Sequence, residues 1–268
     1  MNLPIYQVDA FTHQPFRGNP AAVMPLSHWL PDETLQALAQ ENHLSETAFL
    51  VPLPESEPAD FHIRWFTPTT EVPLCGHATL ASAWVLFNRR GWSQPAVRFQ
   101  SRSGLLGVRR DTDGWLTLDF PALAFESVAT PATLREALDG APDTAFYVPA
   151  DTNYLLVLPD EAAVRAARPD LRRLTGLGNQ GLIITAPGQD CDFVSRYFAP
   201  GAGIDEDPVT GSIHSVLTPY WSKRLGRERL EARQLSARGG VLRCHDRGDR
   251  VDISGQAAFY MEGSVQLP

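Results

Sequence analysis

Apolar and polar positions follow a defined order along the first half of the chain. Residues 31–42 carry apolar side chains at helical spacing, with Asp32 as the expected N-cap. Residues 78–87 are apolar on nearly every face, and a helix of this kind belongs in the middle of a domain rather than at its surface. Alternating or continuous apolar runs predict strands at residues 5–10, 21–25, 47–51 and 61–66.

The second half of the chain repeats this order. Strands are predicted at residues 154–158 and 182–185, with a helix at residues 161–168 between them. A second central helix is expected over residues 213–225. Pro219 should kink or interrupt that helix, because proline lacks the N–H that the helix interior requires.

The repeat is visible in the residues themselves. Residues 64–68 and 196–200 both read Arg-aromatic-Phe-x-Pro, and each is followed by a polar loop and a glycine that opens an apolar helix. Two strands are expected after each helix, in the segments that begin at Phe99 and Arg233. A period of about 130 residues is too long for a solenoid and indicates two related domains that face each other.

We therefore expect an α+β protein with two similar domains, each a curved, mostly antiparallel sheet rolled around a central helix. The domains are predicted at residues 1–120, with 258–268 as a candidate addition, and at residues 121–257. The proline-rich stretch 121–142 is the expected crossover between them. Ligand sites favour the interfaces between domains.

Composition and charge argue against several classes of partner and site. The chain has 268 residues and a formal net charge of −8, with no basic stripe to neutralise phosphates, which argues against a nucleic-acid partner. No apolar run reaches the roughly 20 residues of a membrane span, and the N-terminus lacks the features of a signal peptide. Cys75, Cys191 and Cys244 suggest neither a disulfide framework nor a zinc site, and a cytoplasmic protein is expected.

Glu46 is the first candidate for chemistry, because it lies between a predicted helix and an apolar strand. Partial desolvation at this position would raise the pKa of its carboxyl and make it a proton acceptor and donor near neutral pH. A capping or surface glutamate is the alternative, and the residues alone leave both open.

The two glycine-led helix starts are the next candidates. Gly76 and His77 open the first central helix, and Thr210, Gly211 and Ser212 are expected to open the second. Glycine lets a ligand approach the backbone, and the N–H groups and dipole of a helix start attract anions. The histidine would donate a hydrogen bond or proton to a substrate carboxylate or carbonyl, with a purely structural histidine as the alternative.

Three further side chains lie close to these helix starts. Asp207 belongs to an acidic run, and crowded carboxylates can have pKa values driven apart as in acid–base pairs, although such runs are commonly solvated loops. Cys75 adjoins a helix start, where the pKa of a thiol falls, but nothing specifies the third member that a cysteine–histidine hydrolase needs. His214 is expected to be a packed or capping residue.

Four motifs together resemble the phenazine biosynthesis-like isomerases, the PhzF family. They are DAFT…GNPAAV at 9–23, LSETAFL at 44–50, CGHATLAS at 75–82 and EDPVTGS at 206–212. The resemblance continues to the terminal DISGQA…EG and so covers essentially the whole chain. It implies a fold similar to diaminopimelate epimerase, with the active site in the cleft between two domains, and it suggests a homodimer.

The resemblance also implies an activity and a set of site residues. The best understood member isomerises trans-2,3-dihydro-3-hydroxyanthranilate without a cofactor, and a glutamate moves a proton between ring carbons. By motif match, the catalytic positions are Glu46, His77, Asp207 and Ser212. The substrate-binding positions are Gly76, Gly211, Cys75 and Thr210. No metal or cofactor is implied.

We therefore expect a cofactor-independent isomerase that moves a proton on a small carboxylate, with two alternatives. Diaminopimelate epimerase and proline racemase use two cysteines, one per domain; Cys75 resembles the first, but Val209 and Thr210 occupy the second loop, which has no cysteine. A single-cysteine epimerase or racemase is thus one alternative. A non-catalytic protein that binds a small ligand is the other.

Overall fold

In the computed structural model, which describes residues 1–267, strands greatly outnumber helices, and the α+β class expected from the sequence is confirmed. The strands are β1 (Asn2–Ala10), β2 (Asn19–Pro25), β3 (Glu46–Pro52), β4 (Phe61–Phe66), β5 (Glu71–Val72), β6 (Ala96–Ser101), β7 (Gly104–Arg110), β8 (Leu116–Pro121), β9 (Glu126–Ala129), β10 (Thr144–Val148), β11 (Asn153–Val157), β12 (Leu182–Pro187), β13 (Phe193–Phe198), β14 (Arg229–Gln234), β15 (Gly240–Asp246), β16 (Arg250–Gly255) and β17 (Ala257–Gln266). The helices are α1 (Asp32–Asn42), α2 (Gly76–Arg89), α3 (Ala132–Ala137), α4 (Glu161–Ala166), α5 (Leu171–Leu174) and α6 (His214–Leu225). Within residues 1–267, no helix combines the length and the apolar character that crossing a membrane requires.

Backbone contacts divide the chain into two units. Unit 1 comprises Met1–Phe120 and Ser254–Pro268, and unit 2 comprises Pro121–Ile253. The chain therefore returns to unit 1 at Ser254, whereas the sequence suggested residue 258. A compact unit defined by contacts is not the same as a domain that folds independently. The division into two domains therefore stays a prediction.

Unit 1 is organised by one run of paired strands. β17 pairs antiparallel with β1, β1 antiparallel with β2, β2 parallel with β3, and β3 antiparallel with β4. β4 then pairs parallel with β6, and β6 pairs antiparallel with β7. β8 continues antiparallel from β7. The first strand of this run comes from the C-terminal end of the chain.

Unit 2 has the same succession of pairings. β9 pairs antiparallel with β10, β10 antiparallel with β11, β11 parallel with β12, and β12 antiparallel with β13. β13 pairs parallel with β14, and β14 antiparallel with β15. The repeat in the sequence is therefore also a repeat of sheet topology. Here the first strand, β9, immediately precedes the others.

Helix α2 is the centre of unit 1. Its residues from Gly76 to Phe87 are buried except for Trp84, and it packs against β1, β2, β3, β7 and β17. A sheet must curve around a helix that is apolar on every side, since no face of the helix can be left to water. The central position expected for this helix is confirmed.

Helix α6 occupies the corresponding place in unit 2 and runs from His214 to Leu225, as expected to within one residue, but Thr210, Gly211 and Ser212 lie before the helix and do not open it. The N–H of His214 donates to the carbonyl of Gly211, and the N–H of Ser215 donates to that of Ser212, both at 3.0 Å. These bonds span three residues, so a tight 3₁₀-type turn precedes the helix. Gly211 and Ser212 lie in this turn.

Pro219 lies inside α6 without ending it, which corrects the expectation of an interrupted helix. Proline has no N–H to donate to the carbonyl four residues earlier, which is that of Ser215. The N–H of Leu123 donates to this carbonyl at 2.9 Å. The hydrogen bond that proline removes is thus replaced from outside the helix.

Three smaller expectations are also corrected. Before the chain passes to the other unit, three strands follow each central helix rather than two; β6 and β14 were missed because each has too few alternating apolar positions. The stretch 121–142 is no plain crossover, since it contains β9 and α3. Pro31 takes the cap position of α1, and Asp32 instead accepts a hydrogen bond from Arg64 Nη1 at 2.8 Å.

An arginine in each repeat binds a glutamate in the loop that follows it. In unit 1, Nε and Nη2 of Arg64 donate to the two carboxylate oxygens of Glu71, each at 2.8 Å. In unit 2, Nε and Nη2 of Arg196 donate to Glu206 at 2.7 and 3.0 Å. Such two-pronged pairs fix orientation as well as distance. They restrain the loop that leads into α2 and the loop that carries Asp207.

Replacing Arg64 with Met should lower the free energy of unfolding by about 2 to 3 kcal/mol, because it removes a two-pronged partner of the half-buried Glu71 carboxylate, whose side chain is 11% exposed. This loss of stability is smaller than that expected for a fully buried pair, because Arg102 still contacts Glu71 at 2.7 Å. Urea unfolding measures the change. Arg98→Met is the control: Arg98 pairs with Asp60 at 2.9 Å but its side chain is 53% exposed, so its loss should cost less than about 1 kcal/mol. Equal losses would contradict the role given to Arg64.

Candidate functional site

The start of α2 supplies backbone donors beside a cysteine and a histidine. The helix begins at Gly76, as the sequence predicted, and Cys75 precedes it in an extended conformation. The Cys75 carbonyl accepts hydrogen bonds from the N–H of Thr79 at 3.2 Å and from its Oγ1 at 2.5 Å. The N–H groups in the first turn of a helix have no acceptor within the helix, so those of Gly76 and His77 are available at its start.

His77 is buried and neutral. Its side chain is 5% exposed, and burial lowers the pKa of the ring to about 3. Removing an imidazolium from water is unfavourable, so the uncharged ring predominates at neutral pH. A neutral imidazole has one N–H donor and one acceptor nitrogen, and its neighbours decide which nitrogen carries the proton.

The neighbours of His77 place that proton on Nε2. Nδ2 of Asn19 donates to Nδ1 of His77 at 3.2 Å, and Sγ of Cys75 lies 3.4 Å from the same nitrogen. Nδ1 is therefore the acceptor. Nε2 carries the proton and lies 3.2 Å from Oε2 of Glu46, although the alignment of these two atoms falls short of a hydrogen bond.

Glu46 is the first residue of β3 and is 8% exposed. It pairs with Ala21 in the parallel ladder between β2 and β3, so the sheet fixes its backbone. The sheet and α2 thus bring Glu46, Cys75 and His77 together, with one ligand-type atom from each within 4.8 Å of the others. A carboxylate, a thiol and an imidazole in this arrangement can accept, donate or relay a proton, and they can also hold a metal ion.

Asn19 is a site residue that the sequence interpretation missed. It is fully buried at the start of β2, and Gly18 precedes it with φ +65°. A Cβ on Gly18 would lie 2.1 Å from the carbonyl oxygen of Ala10, so only glycine fits this turn. The Gly-Asn pair of the GNPAAV motif was the available signal, because a buried amide after an obligatory glycine needs a specific partner.

In unit 2, Asp207 is held in a separate polar cluster. It is 8% exposed, and its Oδ2 accepts a hydrogen bond from Thr210 Oγ1 at 2.5 Å. The neighbouring Glu206 is bound to Arg196, so the acidic run is not a solvated stretch of crowded carboxylates. The carboxyl group of Asp207 thus has a defined orientation within unit 2.

Gln234 holds this cluster together and was also missed. Its Nε2 donates to the carbonyl of Asp207 at 2.9 Å and to Thr210 Oγ1 at 3.1 Å, while its Oε1 accepts from the N–H of Thr210 at 2.8 Å. Gln234 ends β14 at an inward position that follows Leu230 and Ala232. A polar residue in the inward register of an alternating strand was the signal for it.

The remaining predicted positions of unit 2 lie around the turn before α6. Gly211 is buried and Ser212 is half-buried. His214 is fully buried, and its Nδ1 donates to the carbonyl of Thr210 at 2.9 Å. His214 is thus a packed residue that restrains the same turn, as expected from the sequence.

Comparisons with known proteins give the family. The model of the family described as phenazine biosynthesis-like protein matches residues 8–263. A protein of Pseudomonas aeruginosa named an uncharacterized isomerase is 54% identical over 267 residues, with 100% of both chains covered. The chain belongs to the phenazine biosynthesis-like family.

Solved structures agree with this membership. The crystal structure of a phenazine biosynthesis protein of the PhzF family from Enterococcus faecalis matches with a TM-score of 0.92 and 43% identity, covering 100% of each chain. A hydroxyproline epimerase from Agrobacterium vitis, 13% identical, matches with a TM-score of 0.61 over 99% of this chain and 93% of the other. At that identity the likeness shows the fold alone, which is an epimerase-like one.

In this member of the phenazine biosynthesis-like family, Asn19→Leu should redistribute the ring proton of His77. The variant keeps a side chain of similar size but removes the N–H that occupies Nδ1, so the tautomer protonated at Nδ1 gains population. The ¹⁵N shifts of the His77 ring in histidine-labelled protein report the change. Asn42→Leu is the control, since its Nδ2 donates to Thr47 at 3.1 Å rather than to His77. Unchanged shifts in Asn19→Leu would contradict the assignment.

His214 should make the stability of unit 2 depend on pH. Burial lowers the pKa of His214 from 6.5 to about 4, so the unfolded chain binds a proton that the folded chain does not. Stability is therefore fully present above pH 6.5 and falls as the pH drops towards 4. In His214→Gln, which cannot titrate, urea unfolding should show a smaller loss over this window. Parallel curves for the two proteins would overturn this explanation.

Proposed function

We propose that this protein is a cofactor-independent isomerase that moves a proton between carbon atoms of a small carboxylate. Membership of the phenazine biosynthesis-like family supports the reaction class, as does the 54% identical relative named an isomerase. The observation that carries the proposal is the buried Glu46 carboxyl, whose Oε2 lies 3.2 Å from Nε2 of the neutral His77.

Glu46 acts as the general acid and base. Its carboxylate takes a proton from a carbon next to an electron-withdrawing group, and the resulting carboxylic acid returns that proton to a different carbon of the same molecule. The proton balance closes without a redox partner, so the reaction is an isomerisation. Glu46 is 8% exposed, so its carboxyl keeps an edge in solvent and part of the transferred hydrogen exchanges with water during turnover.

His77 assists as a hydrogen-bond donor. Because its ring is neutral, Nε2–H lies beside the Glu46 carboxyl and can donate to a developing oxyanion of the substrate. The N–H groups of Gly76 and His77 and the positive end of the α2 dipole favour the substrate carboxylate at the helix start.

The motif match also assigns roles to residues of unit 2. We assign the carboxyl of Asp207 to assisting protonation, and Ser212 to a polar contact with the substrate, with Thr210 and Gly211 in its binding. The burial of Asp207 and its bond to Thr210 support this assignment, because a fixed carboxyl needs no reorganisation during the reaction.

A second candidate is a single-thiol epimerase with Cys75 as the proton carrier. It is favoured by the position of Sγ, 3.4 Å from Nδ1 of His77, to which the thiol can donate a hydrogen bond. The two mechanisms differ in which residue touches the migrating proton. Alkylation of Cys75 that a substrate prevents, together with a Cys75→Ser variant as inactive as Glu46→Gln, would favour the thiol.

Glu46→Gln should lower turnover by about a thousandfold while binding of the substrate carboxylate is retained, because the amide keeps the shape but cannot carry the proton. Incubation in heavy water with trans-2,3-dihydro-3-hydroxyanthranilate and with other small unsaturated carboxylates, followed by NMR, detects deuterium that enters at carbon. Glu41→Gln, at an exposed position on α1, is the matched control and should exchange at the wild-type rate.

Activity of Glu46→Gln within a few-fold of wild type would refute the assignment of Glu46. Tight binding of a carboxylate by the wild type with no deuterium in the recovered ligand would instead indicate a non-catalytic binding protein. A homodimer and a cytoplasmic location, expected from the resemblance and from the composition, also stay predictions; light scattering during gel filtration tests the first.

A further inference from the structure

Three donor atoms of different kinds converge at the start of α2. A carboxylate oxygen of Glu46, the sulfur of Cys75 and a ring nitrogen of His77 all lie within 4.8 Å of one another. The three residues are 8%, 7% and 4% exposed, so the cluster is nearly buried but reaches solvent at its edge. Glu46 belongs to β3, Cys75 immediately precedes α2, and His77 lies in the first turn of α2. The spacing of these residues in the sequence did not suggest a set of metal ligands.

This combination of donors suits a thiophilic divalent cation. Zn²⁺ binds thiolate, imidazole and carboxylate at about 2.0–2.3 Å, which places tetrahedral ligands about 3.5 Å apart. The three donor atoms lie within 4.8 Å of one another, so the Glu46 and Cys75 side chains must rotate to close the remaining distance. Three protein ligands leave the fourth position to water, as at other zinc sites with an open position.

The charges and the release of a proton also favour binding of a divalent cation at this cluster. A dication held by one carboxylate and one thiolate forms a neutral centre, which a buried site accommodates better than a net charge. Binding breaks the S–H bond of Cys75 and forms a metal–sulfur bond, and the thiol proton leaves to solvent. No oxidation or reduction takes place.

Asn19 gives the histidine its supporting contact in both states. When Nε2 binds the metal, the ring proton moves to Nδ1 and needs an acceptor. Rotation of the Asn19 amide presents its oxygen to Nδ1 in place of the Nδ2 that now lies 3.2 Å away. Histidines that bind metals commonly donate their second N–H to an oxygen in this way.

We propose that Glu46, Cys75 and His77 form a binding site for Zn²⁺ or a similar thiophilic cation, and that occupation of this site reversibly inhibits the protein. The metal takes the carboxylate lone pair that would otherwise receive the migrating proton. Inhibition rests on the proposed function, whereas metal binding does not.

Cobalt is the probe for binding, because a Co²⁺–thiolate bond gives a near-ultraviolet charge-transfer band and a tetrahedral centre gives visible absorption. Titration of the wild type with Co²⁺ should produce both, and Zn²⁺ should abolish them by displacement. In Cys75→Ser the near-ultraviolet band should be lost. Glu46→Gln and His77→Gln should each weaken binding at least about tenfold. Far-ultraviolet circular dichroism confirms that the variants are folded.

Cys191→Ser is the matched control, since this cysteine belongs to unit 2 and Sγ donates to the carbonyl of Phe193 at 3.3 Å. It should bind Co²⁺ as the wild type does. Absence of a thiolate band in the wild type would overturn the site, and so would a band that survives Cys75→Ser.

A separate measurement tests inhibition. Once deuterium exchange is detected with a carboxylate, Zn²⁺ should suppress it and EDTA should restore it. Zn²⁺ that binds without suppressing exchange would refute the inhibition. Failure to find any turnover would affect only the proposed function, because Co²⁺ binding is measured without substrate.

Discussion

The burial of one helix apolar on every side is the constraint on which unit 1 depends. Helix α2 carries no polar face, so no orientation leaves it stable at a surface, and strands β1, β2, β3, β7 and β17 cover it. Its N-terminus is therefore buried too. Backbone N–H groups, a histidine and a cysteine lie there with little access to water. The packing of the helix therefore also desolvates the polar groups at its start.

Within that environment, neutral and ionised groups are kept in defined states by their neighbours. His77 loses its charge because it is desolvated, and Asn19 then decides which nitrogen keeps the proton. Unit 2 uses different residues for a similar purpose, since Thr210 fixes the carboxyl of Asp207 and Gln234 holds its backbone carbonyl. The two repeats share their topology and their arginine–glutamate pairs, but not the groups at their helix starts.

The difference between the repeats also bears on the type of chemistry. Only the first repeat has a cysteine before its helix, which argues against a reaction that needs one thiol from each repeat. Cys75 lies against the histidine and at a short distance from the glutamate. In our two proposals the same three side chains transfer a proton when no metal is bound and hold the metal when it is, so the two states are mutually exclusive.

The sequence by itself determined the elements whose pattern is local. Strands such as β4, the central helix α2 and the repeat of the Arg-aromatic-Phe-x-Pro motif follow from periodicity, which depends only on residues near one another in the chain. The α+β class follows from their order. Strands β6 and β14 were not predicted from the sequence, because each has too few alternating apolar positions to be distinguished from a loop.

Only the tertiary structure decided which distant residues meet. The start of α6 at His214 depends on a tight turn, and the continuity of that helix through Pro219 depends on the N–H of Leu123. The roles of Asn19 and Gln234 depend on partners that lie 58 and 27 residues away in the chain. Hydrogen bonds between residues so far apart in the chain leave no local sequence pattern. Buried polar groups are brought together by the packing of whole helices and strands, and not by their spacing along the chain.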